Sequence, residues 1–303
     1  MNPYIICLGK STLDRIWPLP ELPTSGGKYR ARDYLELGGG MAATAAVTVA
    51  RLGARAAFCG RAGDDRSGHA MLDELAGYGV DVSRFRLFRG ARSSVSGILV
   101  NEEGERMIIN FPGAGIPEDA EWLDLDEVSS AGAVLIDVRW KEGGIAICQK
   151  ARALGIPTIM DGEAADADIF EALLPLVDHA IFSVQGLRSF GGGKSGNPMQ
   201  LLQKVRSYGC HIAAVTMGPQ GCLWLDDSGP SHQPAFAVEV IDTTGAGDVF
   251  HGAYALALAE GRGVESAMRF ASGVAALKCT HHGGRAGIPT RQEVDAFLAR
   301  QSH

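Results

Sequence analysis

The stretch Ile241-Asp242-Thr243-Thr244-Gly245-Ala246-Gly247-Asp248-Val249-Phe250 joins a polar, turn-prone segment to a run of apolar residues. Apolar residues recur after it at spacings of three and four, which predicts a helix that begins near Gly247. The first turn of a helix has backbone N–H groups without partners and a partial positive charge. Because Asp248 lies in that turn, the stretch predicts a site that binds an anion beside a carboxylate base, as phosphoryl transfer to a hydroxyl requires.

A second interpretation assigns no chemistry to this stretch. Asp248 then only offsets the helix dipole, and the glycines only form a turn. Gly-x-Gly-Asp is too short a motif to decide between the two interpretations. In the catalytic interpretation, Asp248 removes the hydroxyl proton, and the amides of Gly245, Ala246 and Gly247 stabilise the transferred phosphoryl group.

The stretch from Asp242 to Phe250 resembles the C-terminal signature of the ribokinase-like (phosphofructokinase B type) sugar kinases. Their N-terminal signature also has counterparts here, namely Gly39-Gly40, a small-residue helix that ends in Ala50-Arg51-Leu52-Gly53, and Gly63-Asp64-Asp65. The two signatures occur in the expected order and cover most of the chain. The resemblance implies an ATP-dependent kinase with a three-layer α/β/α sandwich, a mainly parallel sheet and a small β-sheet lid.

The pattern of the chain agrees with an α/β sandwich, because strands and helices alternate without an internal repeat or a long linker. We therefore expect one domain over residues 1–303. Strands are predicted at 4–8, 55–60, 133–138, 157–161, 179–183 and 212–217, and helices at 42–52, 67–77, 143–154, 198–207 and 264–279.

Three strand-like segments interrupt this alternation, at residues 28–36, 94–101 and 105–111, and Glu102-Glu103-Gly104 joins the last two as a hairpin turn. They predict the strands of the lid, inserted at about residues 15–36 and 85–115. In several members of the family the lid also forms a dimer interface, which implies a homodimer.

Composition and charge exclude several partner classes. The chain has 303 residues, 46% of them hydrophobic, and a formal net charge of −7 without a Lys/Arg run, so neither nucleic acid nor a membrane surface is an expected partner. The six cysteines form no Cys-x-x-Cys pair, which predicts buried free thiols. With no signal-peptide pattern and no apolar run of membrane-spanning length, we expect a cytoplasmic protein.

The sugar-binding residues come from the first quarter of the chain. Asp14 follows the first strand, where ligands of α/β sheets bind, and the resemblance implies that it accepts hydrogen bonds from sugar hydroxyls. The alternative is a carboxylate that only stabilises a turn. Gly39 and Gly40 let the backbone approach the sugar, and Thr44 stands where the family has a sugar-binding Asn. A dinucleotide-binding turn is disfavoured because the Gly-x-Gly-x-x-Gly spacing fails at Ala43.

The resemblance places the nucleotide on the other side of the site. Thr216, Gly218 and Gly221 match a turn that approaches the ATP phosphates, and Lys278 belongs to the segment that borders the adenine. Asp242 and Thr244 match positions that hold a monovalent cation such as K⁺ in some members. Capping of the helix by Thr244 is the alternative.

Mg²⁺ is expected with ATP, but the sequence assigns no residue to it. Members of the family carry Asn-x-x-Glu at a position where this chain has Ser183-Val184-Gln185-Gly186.

Arg139 follows the strand predicted at 133–138 and is an unusual residue for a neutral sugar. Together with Lys28 and Asn110 of the lid it could bind a sulfonate or phosphate. Stacking of Arg139 on Trp140, or pairing with Glu142, is the alternative.

Several further stretches resemble the bacterial sulfofructose kinases, among them Gly27-Lys28-Tyr29, Asp137-Val138-Arg139-Trp140 and Val249-Phe250-His251-Gly252. That resemblance implies an anionic sugar substrate, 6-deoxy-6-sulfofructose, phosphorylated at its 1-hydroxyl during sulfoquinovose catabolism. Fructose 6-phosphate or another sugar or sugar phosphate is the alternative substrate. A non-catalytic sugar- or nucleotide-binding protein and a dinucleotide oxidoreductase are rival functions.

Overall fold

A computed structural model describes residues 2–193 and 196–301 of the chain. The strands are β1 Tyr4–Gly9, β2 Thr12–Pro18, β3 Leu35–Gly39, β4 Arg55–Gly63, β5 Phe85–Phe88, β6 Val95–Val100, β7 Arg106–Phe111, β8 Ala133–Asp137, β9 Thr158–Gly162, β10 His179–Ser183, β11 Ile212–Thr216, β12 Cys222–Asp226 and β13 Gly229–Gln233. The helices are α1 Met41–Arg51, α2 Arg66–Gly77, α3 Lys141–Ala153, α4 Ala167–Leu173, α5 Val184–Phe190, α6 Pro198–Arg206, α7 Ala246–Ala259, α8 Val264–Lys278 and α9 Arg291–Arg300.

The main sheet is nine-stranded, in the order β13-β12-β11-β10-β9-β8-β1-β4-β5. Every pair from β11 to β5 is parallel. The hairpin β12–β13, which the sequence did not predict, extends one edge in antiparallel fashion. The carboxyl ends of the parallel strands therefore share one edge, where a ligand crevice is expected.

Two hydrophobic cores cover the two faces of the main sheet. Ile5 and Cys7 of β1 pack on one side into the core that includes α1, α2 and α7 to α9. Ile6 and Leu8 pack on the other side into the core that includes α3 to α6. Because both faces are buried, the central strands are apolar without alternation. The predicted three-layer α/β/α sandwich with a mainly parallel sheet is confirmed.

The lid is a separate four-stranded sheet in the order β3-β2-β6-β7. The predicted hairpin is confirmed, since β6 and β7 pair in antiparallel fashion. The strand predicted at residues 28–36 is wrong for 28–34, because this mostly exposed segment has no strand partner and β3 begins only at Leu35. The predicted lid segment 85–115 also begins too early, since β5 pairs with β4 in the main sheet and Phe85 packs against Phe58 there.

Most predicted helix boundaries lie within two residues of those in the structure, and the helix expected near Gly247 begins at Ala246. All six cysteines are free and buried, as predicted. Within the described part of the chain, no helix has both the length and the apolar character needed to cross a membrane.

Candidate active site

Asp137, the last residue of β8, organises the crevice between the main sheet and the lid. Its buried carboxylate accepts hydrogen bonds from the backbone N–H groups of Lys10, Ala42 and Arg139 at 2.9, 3.3 and 2.8 Å. Burial raises the pKa of Asp137, and these hydrogen bonds oppose that rise. One side chain thus joins the end of β8 to the turn after β1 and to the start of α1.

The beginning of α7 lies at the same crevice. Gly245 precedes the helix in a left-handed conformation with φ 73°, and no side chain caps the helix, so the alternative role of Thr244 as its cap is wrong. The Ala246 amide donates to the Thr243 carbonyl at 3.2 Å. Among the described residues, no partner is found for the Gly245 and Gly247 amides. These two N–H groups are therefore available to an anion, whereas the predicted third donor, Ala246, is already engaged.

Asp248 projects from the first turn of α7. Its Oδ2 atom lies 3.8 Å from where a Gly245 Cβ would be, and its carboxylate accepts no hydrogen bond from the described residues. Burial, reinforced by the nearby Asp161 carboxylate, raises the pKa of Asp248 to about 8, while His251 and Arg285 oppose that rise. An unpaired carboxyl group with such a pKa suits a general base.

His251 and Asp161 form a buried pair behind Asp248. The His251 Nδ1 atom lies 2.7 Å from the Gly247 carbonyl oxygen and 3.3 Å from Asp161 Oδ2, and Nε2 lies 3.2 Å from the Ile181 carbonyl oxygen. Burial is the main cause of the raised pKa of Asp161 and of the lowered pKa of His251. No sequence pattern indicated this pair, although Asp161 lies one residue before the end of the buried strand β9.

The predicted sugar-binding residues converge on the other side of the crevice. Asp14 lies on β2 opposite Ser96 of β6, and burial raises its pKa while a hydrogen bond with Ser96 opposes this. A Cβ on Gly39 would lie 2.4 Å from Asp14 Oδ2, and one on Gly40, whose φ is 97°, would lie 2.2 Å from the Lys10 carbonyl oxygen. Both glycines therefore permit close backbone approaches at this place.

Arg285 connects the residues on the sugar side of the crevice. The sequence did not indicate it as a site residue. Its buried guanidinium donates to the Gly39 carbonyl at 2.7 Å, to Glu74 Oε2 at 2.9 Å and to Thr44 Oγ1 at 3.2 Å. The Thr44 hydroxyl oxygen thus accepts from Arg285. An arginine within Gly283-Gly284-Arg285-Ala286-Gly287 was the available signal, since glycines often surround a buried functional side chain.

The predicted nucleotide-side residues have different environments. Gly218, after β11, has φ 55° and open space where a Cβ would be, which leaves room for a ligand. Thr216 Oγ1 donates to the Phe182 carbonyl at 3.3 Å. A Cβ on Gly221 would lie 2.1 Å from the Gln233 carbonyl oxygen, so this glycine serves the edge hairpin. The Lys278 side chain is fully buried, and its ammonium donates to the Asp242 carbonyl at 2.8 Å.

Asp242 is the most connected carboxylate near the start of α7. Its Oδ1 accepts from the Thr244 amide at 2.8 Å and hydroxyl at 2.6 Å and from Arg106 Nη2 at 3.1 Å, and its Oδ2 accepts from the Gly283 amide at 3.0 Å. Several of these contacts hold its pKa well below the usual range despite burial. Asp242 thereby fixes the loop that leads into α7.

The three residues expected to bind an anionic substituent are not brought together. Arg139 Nη1 donates to the Ala164 carbonyl at 2.8 Å, so neither predicted alternative, Trp140 nor Glu142, is its hydrogen-bond partner. Asn110 Nδ2 donates to Ser96 Oγ at 3.1 Å within the lid. Lys28 lines a separate cavity, next to Trp17 of β2 and Leu99 of β6.

A metal ion is not held by a ready-made ligand set, because no group of three or more His, Cys, Asp or Glu side chains is suitably placed in the described part of the chain. A Cβ on Gly186 would lie 1.8 Å from the Gly162 carbonyl oxygen, so no carboxylate can occupy residue 186. Glu163 lies beside it, and its Oε1 accepts from Ser183 Oγ at 3.0 Å. One free carboxylate oxygen at this edge fits Mg²⁺ that is held mainly by phosphates and water.

The family profile described as pfkB family carbohydrate kinase matches residues 2–291 of the chain. The chain is similar to the ribokinase of Bacillus subtilis (strain 168), with 29% identity over 97% of this chain and 99% of the relative. Its fold is similar to that of an Agrobacterium tumefaciens protein provisionally assigned as a ribokinase, with a TM-score of 0.94, 36% identity and full coverage of both chains. It is also similar to Arabidopsis thaliana ribokinase complexed with ribose and ATP, with a TM-score of 0.87, 27% identity and 98% coverage of each chain.

Proposed function

Because the chain belongs to the pfkB family of carbohydrate kinases, and is therefore a phosphotransferase that acts on a sugar hydroxyl, we propose that it transfers the γ-phosphoryl group of ATP to the 1-hydroxyl of 6-deoxy-6-sulfofructose. The product is 6-deoxy-6-sulfofructose 1-phosphate, and the proposed place of the reaction is sulfoquinovose catabolism. The observation that carries the chemical part is the unpaired Asp248 carboxylate beside free amides at the start of α7.

The proposed mechanism assigns each residue a task. Asp248 accepts the proton of the sugar hydroxyl while its oxygen forms a bond to the γ-phosphorus. The bond from that phosphorus to the bridging oxygen breaks, and ADP leaves with the electron pair. The amides of Gly245 and Gly247 stabilise charge on the transferred group, while Asp14 and the Gly39–Gly40 turn orient the sugar.

Mg²⁺ would neutralise charge on the ATP phosphates. Glu163 is the residue we propose to hold its water shell, because Ser183 orients this carboxylate and residue 186 cannot carry one. The nucleotide would lie along Thr216 and Gly218, where the chain leaves open space. A K⁺ ion at Asp242 would have to take the place of the Lys278 ammonium, which already contacts the Asp242 carbonyl.

The identity of the sugar rests on Arg139 and on the resemblance to sulfofructose kinases. A guanidinium at the carboxyl end of β8 favours an anionic substituent over a neutral one. A phosphate would bind similarly, so fructose 6-phosphate is the alternative substrate. The non-catalytic and oxidoreductase alternatives are disfavoured by the family and by Asp248.

The decisive experiment compares kcat/KM for sulfofructose, fructose 6-phosphate, fructose and ribose at saturating MgATP. We expect sulfofructose to exceed the neutral sugars by at least about 100-fold, as two charge-assisted hydrogen bonds would produce. A higher value for fructose or ribose would overturn the anionic substrate, and a higher value for fructose 6-phosphate would select the phosphate sugar instead.

We also propose a homodimer formed through the lid. The outer strand β7 exposes Met107, Ile108 and Ile109 by 40, 56 and 72%, and Leu35 of β3 is 42% exposed. Because β3 and β7 are the two edge strands of the lid, Leu35 is separate from the exposed run of β7. Such a run of exposed apolar side chains is typical of an interface, and a second copy of the chain would cover it.

A further inference from the structure

We propose that the anionic substituent of the sugar binds in a cavity of about 430 Å³ formed by Lys10, Ser11, Arg61 and Arg139, with Lys10 and Arg61 as specificity-determining residues. This inference rests on the proposed function and names the part of the site that recognises the substrate class, a sulfonate or phosphate monoester.

The cavity lies directly beside the reaction crevice. Lys10 and Ser11 follow β1, and Arg139 follows β8, so both segments come from the edge of the main sheet where Asp137 joins them. Residues 112–116, which follow β7 of the lid, close the other side. A sugar held by Asp14 would therefore extend one end into this cavity.

Cations outnumber carboxylates among the described residues that line the cavity, although Asp137 and Asp14 lie near Lys10, and Asp137 and Glu142 lie near Arg61. Burial lowers the pKa of Lys10, the nearby Arg139 lowers it further, and the Asp137 and Asp14 carboxylates oppose this fall. Arg61 lies with its guanidinium carbon 4.3 Å from the centre of the Trp140 ring and donates to the Pro117 carbonyl, which fixes its direction. Of the described residues that line the cavity, Glu118 is the only carboxylate. Three cations against one carboxylate favour an anionic ligand.

Ser11 supplies an independent sign of a missing ligand. Its side chain is 1% exposed, and its Oγ has no hydrogen-bond partner among the described residues. A buried hydroxyl without a partner costs free energy unless a ligand completes it. Lys28 and Asn110 do not line this cavity, so the structure points to a different set of residues around Arg139.

The test uses Lys10→Met, which removes the ammonium but keeps the backbone N–H that Asp137 requires. We expect KM for the anionic sugar to rise about 10- to 100-fold, with kcat/KM for fructose and KM for ATP changed less than about twofold. Ser11→Ala should raise KM for the anionic sugar by a smaller factor, and it should likewise leave kcat/KM for fructose and KM for ATP nearly unchanged. Lys28→Met is the matched control, and a selective loss in this variant but not in Lys10→Met would place the anion at Lys28 and overturn the proposal.

A second measurement does not depend on catalysis. Methanesulfonate and inorganic phosphate should raise the melting temperature of the wild-type protein by more than that of Lys10→Met, which keeps the amides of α7 but lacks the Lys10 ammonium. An equal rise in the two proteins, or no rise in the wild-type protein, would overturn the cavity as an anion site. If the rise occurs but no anionic sugar is phosphorylated, the proposed substrate fails while the anion site stands.

A different observation carries a second proposal, namely that the Lys278 ammonium is a built-in monovalent cation beneath the loop that leads into α7. The ammonium is fully buried, donates to the Asp242 carbonyl at 2.8 Å and lies 3.7 Å from Asp242 Oδ2. Carbonyl and carboxylate oxygens are the ligands that hard cations prefer. The Lys278 ammonium already places a positive charge beside both, so phosphoryl transfer should need no added K⁺.

The test compares two substitutions of Lys278. Wild-type kcat should be equal in K⁺, NH₄⁺ and tetramethylammonium salts at one ionic strength. Lys278→Ala leaves space for an ion, so its kcat should fall at least about tenfold and recover with NH₄⁺ or K⁺, and these ions should raise only this variant's melting temperature. Lys278→Met fills the space and should lose activity without recovery. Lys150→Met is the control for loss of a lysine.

Either of two results would overturn the second proposal: a wild-type kcat that requires K⁺, or a Lys278→Ala protein whose kcat and melting temperature do not respond to NH₄⁺ or K⁺. The melting-temperature response does not depend on which sugar is phosphorylated.

Discussion

Arg285 Nη2 donates to the carbonyl oxygen of Gly39 at 2.7 Å and so joins the last part of the chain to the glycine turn near its beginning. The same guanidinium also reaches Glu74 and Thr44. A planar group with several fixed donors can serve three acceptors at once, whereas a lysine ammonium cannot reach them with the same geometry. Arg285 therefore shapes the sugar side of the site without being placed to take part in the chemistry.

Arg285→Lys keeps the charge but loses the fork of donors. We expect kcat/KM for the sugar to fall at least about tenfold, because the Gly39 carbonyl loses a charge-assisted hydrogen bond, while KM for ATP stays within about twofold. Steady-state kinetics with each substrate varied in turn measure both. Equal losses for sugar and ATP would indicate a general structural defect instead.

Asp248→Asn removes the proposed base with little change of shape. We expect kcat to fall about 10²- to 10⁴-fold, the usual contribution of a general base, with ATP affinity nearly unchanged. Rapid-quench kinetics and calorimetric titration with a non-hydrolysable ATP analogue separate the two effects. Asp73→Asn, on the exposed face of α2, is the control. A kcat of Asp248→Asn near the wild-type value would contradict the assignment.

The pH dependence of the reaction should report Asp248. Its pKa is raised to about 8, so in the free enzyme the carboxyl group is mostly protonated below that pH and cannot accept the hydroxyl proton. We therefore expect kcat/KM for the sugar to rise about tenfold per pH unit at lower pH and to level off above about pH 8. A profile that is flat between pH 6 and 9 would argue against this base.

Gly40→Ala tests whether the glycine turn needs its close approach. Gly40 and Gly53 have φ values of 97° and 83°, so alanine is strained at both. A Cβ would lie 2.2 Å from the Lys10 carbonyl oxygen at Gly40, whereas nothing lies within 4 Å at Gly53. We expect Gly53→Ala to cost about 1–2 kcal/mol of unfolding free energy, and Gly40→Ala to cost more and also to raise KM for the sugar. Chemical denaturation and kinetics measure these effects; equal costs would mean that the contact is unimportant.

Ile109→Glu tests the lid dimer. Ile109 is 72% exposed on β7, and a buried unpaired carboxylate would prevent a second copy from covering it. We expect light scattering to give the mass of a dimer for the wild-type protein and of a monomer for the variant. Leu154→Glu, at an apolar residue 45% exposed outside the lid, is the control. A monomeric wild-type protein would contradict the proposed lid dimer.

The central strands could be predicted because burial on both faces leaves an uninterrupted apolar run, as in β1. The outer lid strands were harder, because the aromatic and charged residues at 28–34 alternate like a strand yet belong to exposed chain beside it. The edge hairpin β12–β13 was missed for the opposite reason, since Gly229-Pro230-Ser231-His232-Gln233 forms a strand without strand-like composition.

The sequence by itself determined the family, the layered fold and the place of Asp248 in the first turn of a helix, because these depend on local spacing and short-range hydrogen bonding. Only the tertiary structure decided which charged and polar groups are in contact. It put Arg285 under Gly39, the Lys278 ammonium on Asp242, and Arg139 in a cavity with Lys10 rather than with Lys28. These contacts join residues from distant parts of the chain. Their energies depend on burial and distance, which cannot be read from a local pattern of residues.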